Sequence, residues 1–81
     1  MTKQDFKDRI RGIFSVRWLK NDGTEGYVHR GILGTTKKIE GEHKEHNDYV
    51  LVYKMGNGYE GVRRWANVNP NTITHINSNQ V

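Results

Sequence analysis

The sequence predicts a mainly β domain in which five short antiparallel strands follow one N-terminal helix. Two observations support this prediction. Segments that alternate apolar with polar side chains recur along the chain, which is the periodicity of β-strands. Short glycine turns, Asn21 to Gly23 and Gly56 to Gly58, separate four of these segments into two hairpins. The chain has 81 residues, a length that predicts one domain over residues 1–81.

The predicted helix covers about residues 3–11. Thr2 stands where a hydroxyl can accept from the free N–H groups of a first helical turn, and Asp5 completes the spacing of a capping box. Phe6 and Ile10 are four residues apart and therefore share one face of the helix. This apolar face must be buried on another part of the chain or on a partner.

The five predicted strands cover about residues 13–20, 25–33, 48–55, 59–66 and 73–76. Trp18 lies on the apolar side of the first strand and is expected in the core. Pro70 cannot donate to a sheet hydrogen bond, so a short turn around it separates the last two strands. This order predicts a five-stranded antiparallel SH3-like small barrel over about residues 13–76, because short strands hide their edges by closing or nearly closing. The tail, residues 77–81, is expected to fray.

Two connections between strands refine this prediction. Residues 34–47 are polar and charged, which predicts a long surface connection between the second and third strands. Only the turn Gly56 to Gly58 lies between the third and fourth strands, which leaves no room for the helix that an OB-fold usually places there. The barrel of SH3-like order is therefore favoured over the OB-fold.

The segments WLKNDGTEG, YVLVYKM and RRWANVNPNTITHI together resemble a family of small bacteriophage proteins described as SH3-like β-barrels. The family resemblance consists of a hydrophobic strand ending in a Lys-x-Asp-Gly-Thr hairpin, a variable charged loop, a hydrophobic strand and a closing Arg…Thr-Ile segment. The matching positions are Lys20, Asp22, Gly23, Thr24, Leu51 to Tyr53, Arg64, Thr72 and Ile73. The resemblance covers about residues 13–76 and implies a fold and a phage setting, but no settled activity. The chain differs at Val68 to Pro70, which replaces a more regular strand end.

The charge of the chain predicts an acidic partner. The net charge is +4, and the segment Glu40 to Asp48 holds four of the nine acidic residues. Outside that segment, twelve Lys and Arg face five Asp and Glu, so the rest of the chain is strongly basic. A small basic domain favours nucleic acid or an acidic protein surface as partner.

The same composition predicts a cytoplasmic location, in the host cell if the protein is phage-encoded. The chain has no cysteine, which excludes disulfides and thiolate zinc sites and is typical of a reducing compartment. The start MTKQDFKDRI is charged and lacks the apolar segment of a signal peptide. No apolar segment approaches the roughly 20 residues that cross a membrane, so no membrane partner is expected.

The sequence carries no catalytic constellation, so we expect a protein that is not an enzyme and binds no cofactor. No phosphate-binding glycine motif precedes a helix, and no cysteine is present as a nucleophile. His43 and His46 in EGEHKEHN have a spacing that suits zinc or nickel. However, the charge density around Gly41 favours a solvated loop over a metal site.

The fourth strand raises the question of which side chains face outward. Strand alternation places Tyr59, Arg63 and Trp65 on one side, and Arg64 and Ala66 on the other. If the aromatic side faces outward, it forms a surface on which bases stack with about 1–3 kcal/mol each, and arginine adds phosphate contact and cation–π attraction. If the aromatic side faces the core, the other side is exposed instead. Alternation alone leaves both arrangements open.

The candidate binding residues are the basic and aromatic side chains of the predicted strands. They are Arg17, Arg30, Tyr53, Lys54, Tyr59, Arg63, Arg64 and Trp65. The first hypothesis is binding of DNA or RNA through this basic and aromatic sheet face. The alternative is an inhibitor or modulator of a host protein, such as transcription or defence machinery, because Trp and Arg are enriched in interface hot spots. A third is an oligomeric accessory domain that pairs through the helix or an edge strand.

Overall fold

The computed structural model describes residues 1–34, 47–56 and 64–81. These residues form one short helix and a six-stranded antiparallel sheet, which confirms the prediction of a mainly β chain with an N-terminal helix. The elements are α1 (Lys3–Arg9), β1 (Phe14–Leu19), β2 (Glu25–Leu33), β3 (Val50–Lys54), β4 (Trp65–Val68), β5 (Ile73–Ile76) and β6 (Asn79–Gln80). A 3₁₀ turn, Pro70–Thr72, separates β4 from β5 as the sequence predicts. The first half of the predicted fourth strand lies outside the described residues.

The sheet has the order β4-β3-β2-β1-β5-β6 and is open in the described part of the chain, with β4 and β6 at its edges. The predicted count of five strands is corrected to six there, because the tail does not fray. Asn77 and Ser78 take left-handed backbone conformations, with φ of 51° and 66°, and reverse the chain so that β6 pairs with β5. The Val81 N–H then donates to the Thr74 carbonyl at 3.0 Å. Among the described residues, the edge strands β4 and β6 do not pair with each other, so the sheet does not close into the predicted barrel.

The strand β2 joins the two halves of the sheet. Its first half, residues 25–28, pairs with β1, and its last residues, 31–33, pair with β3. Between them the β1 register skips from Val28 to Gly31, so β2 carries one extra residue and bends there. The bulge therefore lies between the part of β2 that pairs mainly with β1 and the part that pairs with β3.

The core is formed where α1 packs against one side of the sheet. Its buried members are apolar residues from the helix and the strands: Phe6, Ile10, Phe14, Val16, Trp18, Val28, Val50, Val52, Val68 and Ile76. Phe6 is fully buried, and its ring meets the Phe14 ring edge-on at a centroid distance of 5.7 Å. Trp18 is 5% exposed, which confirms its predicted place in the core.

The helix ends earlier than predicted. Its last residue is Arg9, and Ile10 takes an extended conformation, with φ of −109° and ψ of 148°. The bend brings the Ile10 side chain into the core, where it is 4% exposed. The chain therefore buries the apolar face of its own helix, and this face needs no partner subunit to cover it.

Two aspartates terminate or cap elements and have lowered pKa values. The backbone N–H of Thr2 donates to the Asp5 carboxylate at 3.2 Å, and this bond, with the Thr2 side chain, lowers the pKa of Asp5 below its ordinary value. In the β1–β2 turn, the Thr24 hydroxyl donates to Asp22 at 2.6 Å and the Thr24 N–H at 2.9 Å, which lowers the pKa of Asp22 in the same way.

These shifts predict a loss of stability in acid. Because both carboxyl groups have a lower pKa in the folded chain than in the unfolded chain, their ionised forms stabilise the fold above about pH 4. This stabilisation disappears as the pH falls through the folded pKa values. In thermal denaturation, the double variant Asp5→Asn/Asp22→Asn should show a smaller fall in melting temperature as the pH is lowered. Asp8→Asn, which removes one exposed charge from α1, should show the same fall as the native chain. An equally steep decline in the double variant would contradict this explanation.

Candidate functional site

The faces of β3 and β4 determine where Trp65 lies. Val68 is fully buried, and Ala66 packs against the core from the same side of β4. Trp65 therefore lies on the outer side, opposite its cross-strand partner Tyr53. The two rings meet edge-on at a centroid distance of 5.1 Å. Of the two arrangements that alternation allows, the structure has the one with Trp65 outward.

A second apolar contact lies on this outer side. Leu51 is only 5% exposed, although the core cluster does not include it. A Cβ atom on Gly34 would lie 2.8 Å from Leu51 Cγ and 2.9 Å from Trp65 Cζ3. Glycine at this position therefore lets both side chains approach the backbone at the end of β2. Trp65 is therefore half-buried, and one edge of its ring packs against Gly34.

Arg64 joins the same side of the sheet, which corrects the prediction that it accompanies Ala66. Because β4 begins only at Trp65, strand alternation does not apply to Arg64. Its guanidinium donates to the Tyr53 hydroxyl at 3.3 Å and lies 5.8 Å from the centre of the Tyr53 ring. We call Leu51, Tyr53, Arg64 and Trp65 the outer cluster.

The structure does not bring Arg17 and Arg30 into the outer cluster. Arg17 lies over the Tyr27 ring, 4.7 Å from its centre, and its guanidinium pairs with Glu25 at 3.3 Å. Both members of this pair are about half exposed, so the pair contributes little stability but partly neutralises the arginine. Arg30 is exposed at the β2 bulge, where its carbonyl accepts from the Met55 N–H at 2.8 Å.

A groove with a volume of about 370 Å³ opens between the tip of the β1–β2 hairpin and β4. Its lining combines aromatic, amide and cationic side chains with two small or aliphatic ones. The described lining residues are Trp18, Leu19, Lys20, Asn21, Tyr27, Tyr49, Lys54, Trp65, Ala66, Asn67 and Asn69. None of these is acidic, and Asp22, next to the groove in sequence, has its carboxylate bonded to Thr24.

Local contacts hold the two walls of the groove in place. Trp18 lies directly against the backbone of Gly26, where an added Cβ would be 2.5 Å from Cε2 and Cζ2 of the indole. Opposite, the Asn21 side-chain amide donates to the Tyr49 hydroxyl at 3.1 Å and ties the hairpin tip to the residue before β3. Lys54 also lines the groove, and strand alternation places it on the same side of β3 as Val50 and Val52.

The groove contains some of the predicted binding residues and several that sequence reasoning missed. Lys54 and Trp65 were predicted, whereas the lining amides and Tyr49 were not. Tyr59, Arg63 and the two metal candidates, His43 and His46, lie outside the described residues. The missed residues come from separate segments that only the folded sheet brings together. The one local signal was the pair of asparagines in Asn67-Val68-Asn69, which interrupt an otherwise apolar segment.

Comparisons with known proteins find no matching family model, no matching curated protein and no matching solved structure. Among the described residues, no helix has the length and apolar character needed to span a bilayer.

Proposed function

We propose that this protein is a small non-enzymatic accessory module that binds nucleic acid through the groove and the adjoining outer cluster. One observation carries the proposal. The described lining of the groove combines two tryptophans and two tyrosines with two lysines, and it includes no acidic side chain. Aromatic faces stack on bases and cations bind phosphates, which are the two parts that every nucleotide presents.

The charge of the chain supports the same ligand. The net charge is +4 even with the acidic segment Glu40 to Asp48 included. Lys20 and Lys54 line the groove, and Arg64 stands beside it in the outer cluster. A polyanion approaching this surface therefore meets cations on both sides of the aromatic rings.

We infer that the sheet is an open member of the SH3-like small barrels. The inference is supported by the order β4-β3-β2-β1-β5 and by the 3₁₀ turn before β5. The resemblance to small phage proteins suggests a setting in the cytoplasm of an infected host cell.

A host protein is the second candidate partner, and the outer cluster favours it. Tyr53, Arg64 and Trp65 are of the residue types most enriched in interface hot spots; all three are half-buried, and Tyr53 contacts the other two. β4 is also an edge strand of the described sheet. The groove supports nucleic acid as the first candidate, because an apolar protein interface would not require its cations and amides.

We expect labelled oligonucleotides to bind with an affinity that depends steeply on salt. With about three phosphate contacts, affinity should fall about ten- to fiftyfold between about 50 and 200 mM salt. Lys54→Gln should weaken binding and reduce the salt dependence, because it removes a groove cation. Arg9→Gln, which removes one exposed charge from α1, is the matched control. Fluorescence anisotropy measures both quantities.

Two outcomes would contradict the proposal. One is the absence of binding to any oligonucleotide at low salt. The other is binding that is insensitive to salt and equal in the two variants. A stoichiometric protein partner that survives nuclease treatment, in the absence of oligonucleotide binding, would instead support the host-protein alternative.

A further inference from the structure

We propose that the groove takes one unpaired base of a single strand, and that Asn69 selects bases bearing a carbonyl group: thymine, uracil, guanine or cytosine over adenine. This inference rests on the proposed function and names the ligand of the same site. Three features of the groove support it: its shape, the position of its aromatic walls and the orientation of one amide.

The shape of the groove favours a single strand. At about 370 Å³ the groove falls in the size range of small-molecule sites, which suits one base with its sugar. A duplex stacks its bases inward and is read by elements that protrude into its grooves. The groove is concave, so a duplex base would have to be unpaired and flipped out before entering it, which costs a few kcal/mol.

The aromatic walls come from opposite sides. Trp18 belongs to the hairpin side and is held against Gly26, while Trp65 belongs to β4 and is anchored against Gly34. Trp65, which is half-buried, offers the main stacking surface to a base, while Trp18, only 5% exposed, contributes a small part of the lining. Lys54 lines the same groove and is placed to meet the phosphate of that nucleotide.

The amide of Asn69 has a defined orientation. Its side-chain oxygen accepts from the Asn71 N–H at 3.0 Å, which caps the 3₁₀ turn and assigns oxygen and nitrogen. The Nδ2 group therefore carries the donors, and it donates to no protein group in the described part of the chain. Because Asn69 lines the groove, these N–H donors are available to a bound base, and carbonyl oxygens are strong acceptors that adenine lacks.

The test compares three probes of about ten nucleotides: oligothymidylate, oligoadenylate and a mixed-sequence duplex. Oligothymidylate should bind about 5- to 150-fold more tightly than the duplex, the range expected for stacking one base. It should also bind more tightly than oligoadenylate. Trp65→Leu should remove most of the advantage over the duplex, because the lost stacking surface weakens oligothymidylate binding more than duplex binding. Asn69→Ser keeps an oxygen for the cap but replaces the amide N–H donors with one hydroxyl on a shorter side chain, so it should reduce the preference for oligothymidylate over oligoadenylate.

The outcomes separate this inference from the proposed function. Equal, salt-dependent binding of all three probes, unchanged in both variants, would overturn the single-base site but leave nucleic-acid binding intact. An unchanged preference in Asn69→Ser would overturn the role of the amide. Binding of no probe at low salt would overturn the proposed function and the inference with it. Circular dichroism shows whether Trp65→Leu is folded. If it is not, Lys54→Gln is the second groove variant in which binding is compared.

Discussion

Phe6→Ala is expected to lower the free energy of unfolding by about 3–5 kcal/mol, the range for truncating a buried aromatic. Phe6 is fully buried and packs edge-on against Phe14, so the substitution leaves a cavity between α1 and the sheet. A domain of 81 residues has a total stability of about 4–12 kcal/mol. This one side chain therefore carries a large fraction of the stability of the fold.

Urea denaturation of the purified chain measures this loss. Phe6→Leu should cost less, about 1 kcal/mol, because it retains most of the buried volume. Arg9→Ala changes an exposed position on the same helix and should be nearly neutral. A cost below about 1 kcal/mol for Phe6→Ala would mean that α1 is not docked on the sheet in solution.

Gly26→Ala is expected to destabilise the chain by about 1–3 kcal/mol and to weaken ligand binding as well. The new methyl group would lie 2.5 Å from two atoms of the Trp18 indole, which is buried among the core residues. The ring would have to move outward, into the groove that it lines. One added methyl group therefore affects both the core and the proposed site.

A double-mutant cycle with Trp18→Phe tests this mechanism. The smaller ring makes room for the methyl group, so Gly26→Ala should cost less in the Trp18→Phe background than in the native chain. Gly12→Ala is the control for backbone strain: no atom lies within 4 Å of its Cβ position, and its φ of +55° predicts a cost of about 1 kcal/mol without any coupling to Trp18. Equal costs in both backgrounds would disprove the steric explanation.

Local sequence patterns predicted the hairpins and strands well. The bounds of β2 and β5 agree with the prediction, and β1 differs by one residue at each end, because Asp-Gly turns and alternation act between near neighbours. The side of the sheet that holds Trp65 could not be predicted in this way. Alternation sorts side chains into two sets, and only the pairing of Val50 with Val68 and Val52 with Ala66 shows which set faces the core.

The remaining differences have physical causes that act over longer distances. Arg64 precedes the first residue of β4, so strand alternation does not set the direction of its side chain. It lies on the outer side of the sheet with Trp65, where it contacts Tyr53. The strand β6 depends on a turn in which Asn77 and Ser78 take left-handed conformations. In a sequence, the dipeptide Asn-Gly predicts such a turn much more clearly than the Asn-Ser found here. The groove was not predictable, because its walls come from hairpin tip, β3 and β4 residues that meet only after the sheet bends.

The central position of β1 has a consequence for the order in which the fold forms. On one side, β1 pairs with β2, the next strand along the chain, and Arg17 bonds to Glu25 only eight residues away. On the other it meets β5, where Thr74 bonds to the Arg17 carbonyl from 57 residues away. Closing the longer loop costs about 2 kcal/mol more in chain entropy. The β1–β2 hairpin therefore forms at lower cost, and the non-local pairing with β5 makes folding slower than in a helical bundle of this size.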